Sequence, residues 1–448
     1  MVRRKGHGSS RKGVFLVVLL VLLLGGAGVL YVLNAEGTPP EVTIAPDKKY
    51  VGQDTAIQVT LRDVDSGLGQ VTIVAIQDEK RIPVVRTTTV QGEQWEHTLD
   101  LADLDLQEAQ FRLKVVATDN SWRRLGKGNI VEQDRAYALD TTAPGVGIMS
   151  IHHNLNQGGS GMVAFSATEP LSRAGVQIGE RFFPAYQTQA QDWVCMFAYP
   201  YYAAPEADTP VLVVADKAEN TFRTGFTHHI NARRFPKDRI RITDGFLQAK
   251  MPQYENQFPE AETLLDVFLQ VNGPMRDENR ARLRDFGQQT TPKRLWEDRF
   301  LRLPNAARRA SFGDQRTYYH KGEPIDTATH LGVDLASLAR AKVPAANAGN
   351  VVFSDFLGIY GNVVVVDHGF GLQSLYAHLS KSNVAEGQSV SKGEILGKTG
   401  ATGLAGGDHL HFAILISGQP VNPEEWWDQQ WIEHNILSKW SLLEEDVS

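Results

Sequence analysis

At 448 residues the chain is too long for one ordinary hydrophobic core, and roughly two to four domains are expected. Its 42% hydrophobic and 22% charged residues are those of a folded protein, and a formal net charge of -7 leaves no electrostatic footprint for nucleic acid. The one cysteine, Cys195, excludes an intrachain disulfide and a Cys-rich zinc finger, and its neighbours Trp193, Val194, Met196 and Phe197 mark it as a buried apolar residue.

The first element is an unbroken apolar run of twenty residues, Val14 to Leu33, long enough as a helix to cross a hydrocarbon core. Arg3, Arg4, Lys5, Arg11 and Lys12 precede it and only Glu36 follows closely, so the positive-inside bias puts the N-terminus in the cytoplasm. The expected order is a cytoplasmic basic tail over 1–13, a transmembrane helix over 14–33 and an extracytoplasmic remainder, which is the topology of a single-pass protein of the cell inner (cytoplasmic) membrane with a periplasmic domain. A cleaved signal peptide is the rival. The run is long for that purpose, and Leu33-Asn34-Ala35 lacks the small residue wanted three positions before a cleavage site.

From Thr38 the texture changes to short alternating runs such as Val42-Thr43-Ile44, Ala56 to Leu61 and Gln70 to Val74, separated by turn residues. A weak repeat relates Thr38-Pro39-Pro40-Glu41-Val42-Thr43-Ile44 to Thr142-Ala143-Pro144-Gly145-Val146-Gly147-Ile148. The closing runs Val115 to Asn120 and Val213 to Asn220 repeat as well. Two β-sandwich modules follow, over 38–142 and 143–232, and both resemble bacterial immunoglobulin-like domains. They read as spacers or as arms for a protein partner. The doublets His152-His153 and His228-His229 are not metal sites on this reading, because adjacent strand residues face opposite ways.

Between 233 and 304 the alternation stops and charge density rises. Pro259-Glu260-Ala261-Glu262 reads as a helix start, Leu264, Leu265, Phe268 and Leu269 recur at helical spacing, and Gly273-Pro274 reads as its stop. Thr291-Pro292 reads as the start of a second helix holding Leu295, Trp296, Phe300 and Leu301. This helical connector is a scaffold or, from its position alone, a regulatory cover for what comes next.

The segment 305–423 returns to strands: Asn350 to Ser354, Asn362 to Asp367 and Leu372 to Ala377. Set among them are His330, Asp334, His378, His409 and His411, polar groups that are costly to bury without purpose. His409 and His411 project from one strand face. His330 and Asp334 add an imidazole and a carboxylate, typical of zinc sites that keep one position open. His320, His368 and His434 read as ordinary structural histidines, and Asp367-His368-Gly369 as a turn between strands. Gly397-Lys398-Thr399 is no phosphate loop, since Lys392 stands where that motif needs glycine.

His330-Leu331-Gly332-Val333-Asp334, Tyr376-Ala377-His378-Leu379, the run Gly397 to Gly403 and His409-Leu410-His411-Phe412 strongly resemble the lysostaphin/LytM-type zinc metallopeptidases. Tyr360-Gly361-Asn362 and Gly418 to Pro423 extend the resemblance. It covers about a quarter of the chain, from Phe312 to Pro423. The resemblance implies one Zn2+ per chain, held by His330, Asp334 and His411, with His378 and His409 as the catalytic histidines; their division of labour stays open. It also implies a β-sheet metallopeptidase domain with peptidoglycan as substrate. A C-terminal helical tail, 424–448, carries Trp426, Trp427, Trp431 and Trp440, and docking on the domain is its expected role.

The expected protein is thus mainly β: a membrane-anchored zinc endopeptidase acting on peptide cross-bridges of peptidoglycan outside the cytoplasmic membrane. A regulatory protein could bind the sandwich modules or the connector. The alternatives are a non-catalytic LytM-type activator of another cell-wall hydrolase and a tethered structural protein.

Overall fold

The computed structural model describes residues 11–443. The basic residues before position 11 and the last residues of the expected tail, 444–448, lie outside the described residues. Arg11–Asn34 is one helix whose apolar side chains from Val14 to Leu33 are exposed, with a mean hydropathy of 2.8 over its best window. Its 24 residues make it about 36 Å long, somewhat more than a hydrocarbon core. A bare apolar surface of that kind needs apolar surroundings, and the helix fits a membrane anchor.

The chain forms two compact units. The first runs to Ala143 and includes Lys217–Asn220. Its two sheets are Glu41–Ala45, Ala56–Arg62 and Gln94–Asp100, and Tyr50–Val51, Ile130–Leu139, Gln110–Asp119, Leu68–Gln77 and Lys80–Thr89. Alternation drives the pairing: Ile57, Val59 and Leu61 face inward and meet Ile73, Leu113 and Val115 in one core.

The second unit holds 144–216 and 221–448. It begins with two four-stranded sheets, one centred on Ser160–Ala167 and Trp193–Ala198, the other on Leu171–Ile178 and Val211–Asp216. Cys195 is fully buried between them, as expected. These sheets are not a detached arm: Met162, Phe165 and Phe197 belong to the same core as Trp296, Trp426, Ile436 and Trp440. The tail makes the seam. Trp426 Nε1 donates to Ser160 Oγ, the buried Lys439 donates to Met162 O, and Glu425 accepts from Asn156 and from the Ser160 backbone. It is broken rather than a single helix, because Asp428 ends Pro423–Trp427 and caps Gln429–Ile432.

The connector differs from its sequence reading in four ways. It opens with a strand, Lys237–Ile242, that lies parallel to Gln315–His320 in a sheet completed by Glu323–Thr329. The helix starts later than Pro259: Thr263 caps Leu264–Gln270 in a reciprocal pair with Asp266. Gly273-Pro274 does not stop it, because a π turn over Val271–Met275 absorbs the proline and leads into Arg276–Gly287. Beyond Thr291 there is no second helix. Leu295, Phe300 and Leu301 instead donate their backbone N–H groups to His368, Trp426 and Ala346, and Trp296 and Phe300 are buried.

The C-terminal sheet runs Ala307–Ala310, Val333–Ala336, Leu410–Ile416, Leu372–Leu379, Gly361–Gly369, Gly349–Leu357 and Ser389–Val390, with Gln419–Val421 also on Leu410–Ile416. One face packs on the core of the tail and second sandwich, the other on the connector: Val333, Leu335, Leu410 and Phe412 belong to the first, Leu375, Ala377 and Ala413 to the second. His368 lies within Gly361–Gly369 rather than in a turn; it is buried and hydrogen-bonded to Ala348 O and Ser374 Oγ.

Candidate metal centre and its cleft

Strand register assembles the site. Val333–Ala336 and Leu410–Ile416 pair so that Asp334 stands opposite His411, and on the other side His411 stands opposite Ala377. Because Val333, Leu335, Leu410 and Phe412 face one core, Asp334 and His411 face the other side together. Asp334 Oδ1 is 2.9 Å from His411 Nδ1 and 3.0 Å from His330 Nε2, and the two nitrogens are 3.0 Å apart.

His330 Nδ1 lies 2.9 Å from Ser311 O. A carbonyl only accepts, so Nδ1 carries the proton and Nε2 of the neutral ring is a lone pair. That lone pair points at a carboxylate oxygen, and a cation between them, either a second proton on the ring or a metal ion, makes the arrangement favourable. Zinc bonds of about 2.0–2.2 Å require donors within roughly 3–3.5 Å of one another, and the His2Asp set matches this in chemistry and spacing. Gly332 makes room for the ligand: a Cβ there would come within 2.5 Å of His411 Nε2 and 2.8 Å of Phe412 O.

His378 reaches the same face by an irregularity. Between Leu372–Leu379 and Gly361–Gly369 the register slips at Asn362/Val364, and His378 takes a φ of 61°. Regular alternation would send His378 to the side of Tyr376; instead Tyr376 and Leu379 share one core, Ala377 lies in the other, and His378 turns into the site. Its ring centroid is 4.8 Å from that of His409 and 5.9 Å from that of His411. His378 Nδ1 meets Thr402 O and His409 Nδ1 meets Gly407 O, both at 2.9 Å, so each ring is anchored through Nδ1 and turns Nε2 toward the cluster. His409 Nε2 lies 3.5 Å from Asp334 Oδ1.

Burial, reinforced by His409 and His411, holds His378 well below the usual imidazole range. Burial also disfavours the charged form of His409, but the hydrogen bond and charge of Asp334 outweigh it and the net direction is up. Desolvation works against the Asp334 carboxylate as well, and the surrounding imidazoles prevail and keep it low. The structure therefore brings together all five residues singled out in sequence: His330, Asp334, His378, His409 and His411. His320 stays outside, bonded to Ile242 O.

The cluster lies in a cleft of about 300 Å³. The sheet forms one wall; the connector, through Ile240, Ile242, Phe246 and Phe268, forms the other. That second wall is packed onto the sheet, since Ile242 and Phe268 share a core with Leu375 and Ala377. Sequence reading passed over Arg276 and Arg316, which also line the cleft. Arg316 donates from a terminal nitrogen to Asp334 Oδ2 at 3.2 Å, holding the oxygen that faces away from the imidazoles. No local motif marks either arginine.

An antiparallel sheet that presents a His2Asp donor set flanked by two anchored imidazoles is a candidate metal centre. Residues 328–423 match the model of peptidase family M23, and the C-terminal part of the chain is a domain of that family. The DD-carboxypeptidase/endopeptidase Mpg of Neisseria meningitidis serogroup B is 45% identical over 94 residues, 21% of this chain and 22% of the relative. The peptidoglycan DD-endopeptidase ShyA of Vibrio cholerae is 40% identical over 95 residues, again 21% of this chain and 22% of the relative. The murein hydrolase activator EnvC of Escherichia coli is 37% identical over 95 residues, 21% of this chain and 23% of the relative. The chain thus spans about a fifth of the length of the curated relatives it matches.

Proposed function

We propose that the chain is a membrane-anchored zinc metalloendopeptidase that hydrolyses peptide cross-bridges of peptidoglycan outside the cytoplasmic membrane. The observation that carries this reading is the convergence of a lone pair on His330, Nδ1 of His411 and Oδ1 of Asp334 within 3.0 Å, beside two imidazoles fixed through Nδ1. His330, Asp334 and His411 would hold the zinc. Zinc in such a set supplies Lewis acidity toward an amide and its attacking water. His378 and His409 accept and deliver protons through their Nε2 atoms, one taking the proton of the attacking water and the other serving the leaving amine. The hydrophobic wall of the connector excludes bulk water from one side and orients an extended peptide along the sheet. The peptidoglycan substrate rests on the names of the relatives. The apolar N-terminal helix supports an inner-membrane anchor with the N-terminus in the cytoplasm, and the first sandwich serves as an immunoglobulin-like spacer between membrane and hydrolase.

The second reading is an activator of another cell-wall hydrolase, favoured by the similarity to EnvC alone. The retention of all five polar site residues speaks for the enzyme. The test is incubation of the purified chain with peptidoglycan sacculi, with released fragments identified by mass spectrometry and metal content measured in parallel. The enzyme reading expects cross-bridge cleavage that disappears in His411→Ala. A zinc-loaded, folded chain that releases nothing would overturn it.

A further inference from the structure

The cleft has a charge pattern that the metal chemistry does not use. Three arginines line it, Arg241 at the exposed rim and Arg276 and Arg316 deeper, whereas Asp334 is its only lining carboxylate among the described residues. The chain as a whole carries a formal net charge of -7, so a cationic cleft does not follow from its overall composition. Asp334 is already engaged: Oδ1 faces the imidazoles and Oδ2 takes one bond from Arg316.

Arg276 is the more telling of the two. Its Nε and one terminal nitrogen donate to O and Oδ1 of Asn272, one helical turn earlier, at 3.0 and 2.7 Å. Asn272 is itself held, through Nδ2, by Asp326. The head group is therefore fixed in orientation, yet no carboxylate among the described residues lies within ion-pair distance of it. Burial pulls the Arg276 guanidinium below its ordinary range, and Arg280 and Arg316 act in the same sense. Arg316 is paired with Asp334 through one terminal nitrogen, but its Nε is buried without a partner. Buried guanidinium groups are normally paired, and an unpaired one is unfavourable unless an anion completes it.

We propose that Arg276 and Arg316 form a subsite for a substrate carboxylate beside the metal cluster, so that this enzyme prefers peptides with a free carboxylate close to the scissile bond. The inference deepens the peptidase reading above and rests on it for the reaction, but not for binding. A planar fork of N–H donors matches a carboxylate in geometry as well as charge, which a neutral amide cannot do. Stem peptides offer this group at the chain terminus and on their acidic residues. Both present the same chemistry to the arginines.

The test is calorimetric titration of the zinc-loaded full chain with a stem tetrapeptide, its C-terminal amide, and the analogue amidated on its side-chain carboxylate. Turnover is not needed for this measurement. One of the two amidations should weaken binding about ten- to a hundredfold, and which one identifies the carboxylate that is read. Arg276→Gln should collapse that preference to within about twofold, and Arg276→Lys should keep part of it, with zinc content equal in both variants. If the free acid and both amides bind alike in the wild type, or if Arg276→Gln leaves the preference intact, the subsite is refuted. A preference that survives in a chain that cleaves nothing supports the subsite and counts against the peptidase reading instead.

Discussion

The two walls of the cleft are built by different physics. On the sheet wall, Asp334 and His411 are cross-strand partners, and neighbouring strands hold them at a spacing set by backbone hydrogen bonds. On the connector wall, Phe268 and Arg276 sit on a helix that runs through a π turn, positioned by side-chain packing against the sheet. Metal chemistry tolerates little displacement of its donors and occupies the wall fixed by register. On the reading proposed above, substrate recognition tolerates more and falls to the wall fixed by packing.

That division predicts a graded set of effects. The largest is expected on the sheet wall: His411→Ala should remove zinc and reduce cross-bridge hydrolysis by at least about a thousandfold, read by metal analysis and fragment release together. His378→Ala should lower kcat by about a hundred- to ten-thousandfold while zinc stays bound, because its Nε2 serves the proton and not the donor set. Zinc loss in that variant would break the assignment. Gly332→Ala introduces a Cβ 2.5 Å from His411 Nε2 and should weaken zinc by roughly ten- to a hundredfold in chelator competition.

On the other wall, Phe268→Ala empties a fully buried position and should destabilise the unit by about 3–5 kcal/mol in denaturant unfolding. Its zinc affinity at low temperature should be unchanged. Equal losses of metal and stability would mean that the walls are not separable.

The smallest effect lies outside the cleft. Burial raises the Glu425 carboxyl from its ordinary 4.5 to about 7, against the hydrogen bonds from Asn156 and Ser160 that favour the charged form. The folded chain then holds a proton that the unfolded chain has released, so this group makes stability fall as pH rises from about 4.5 to about 7, by up to about 3 kcal/mol. Thermal midpoints across that range should decline in the wild type and decline less in Glu425→Gln, with the zinc site unaffected.

How much of this was legible in advance differs along the chain. The five polar residues of the site could be singled out because they lie in short local motifs that resemble a known family's. The helix Arg11–Asn34 was legible because twenty apolar residues in sequence have few other destinations. The loop after Thr291 was misread as a helix, since the groups that satisfy its backbone, at Trp426 and Ala346, are distant in sequence. Pro274 was misread as a terminator because a π turn leaves no mark in a single sequence. The second sandwich reads in sequence as a spacer or an arm, and only the shared core with Trp426 and Trp440 shows that it is built into the same unit as the C-terminal sheet.

By itself the sequence singled out the five polar side chains and, by period-two alternation, put His409 and His411 on one strand face; that they meet at one centre was implied by the family resemblance of runs such as 330–334 and 409–412. Tertiary structure alone decided how His378 turns toward them, through a bulge and a positive φ, and that Arg276 and Arg316 face the same space. Both depend on contacts between segments tens of residues apart, where no local pattern records the outcome.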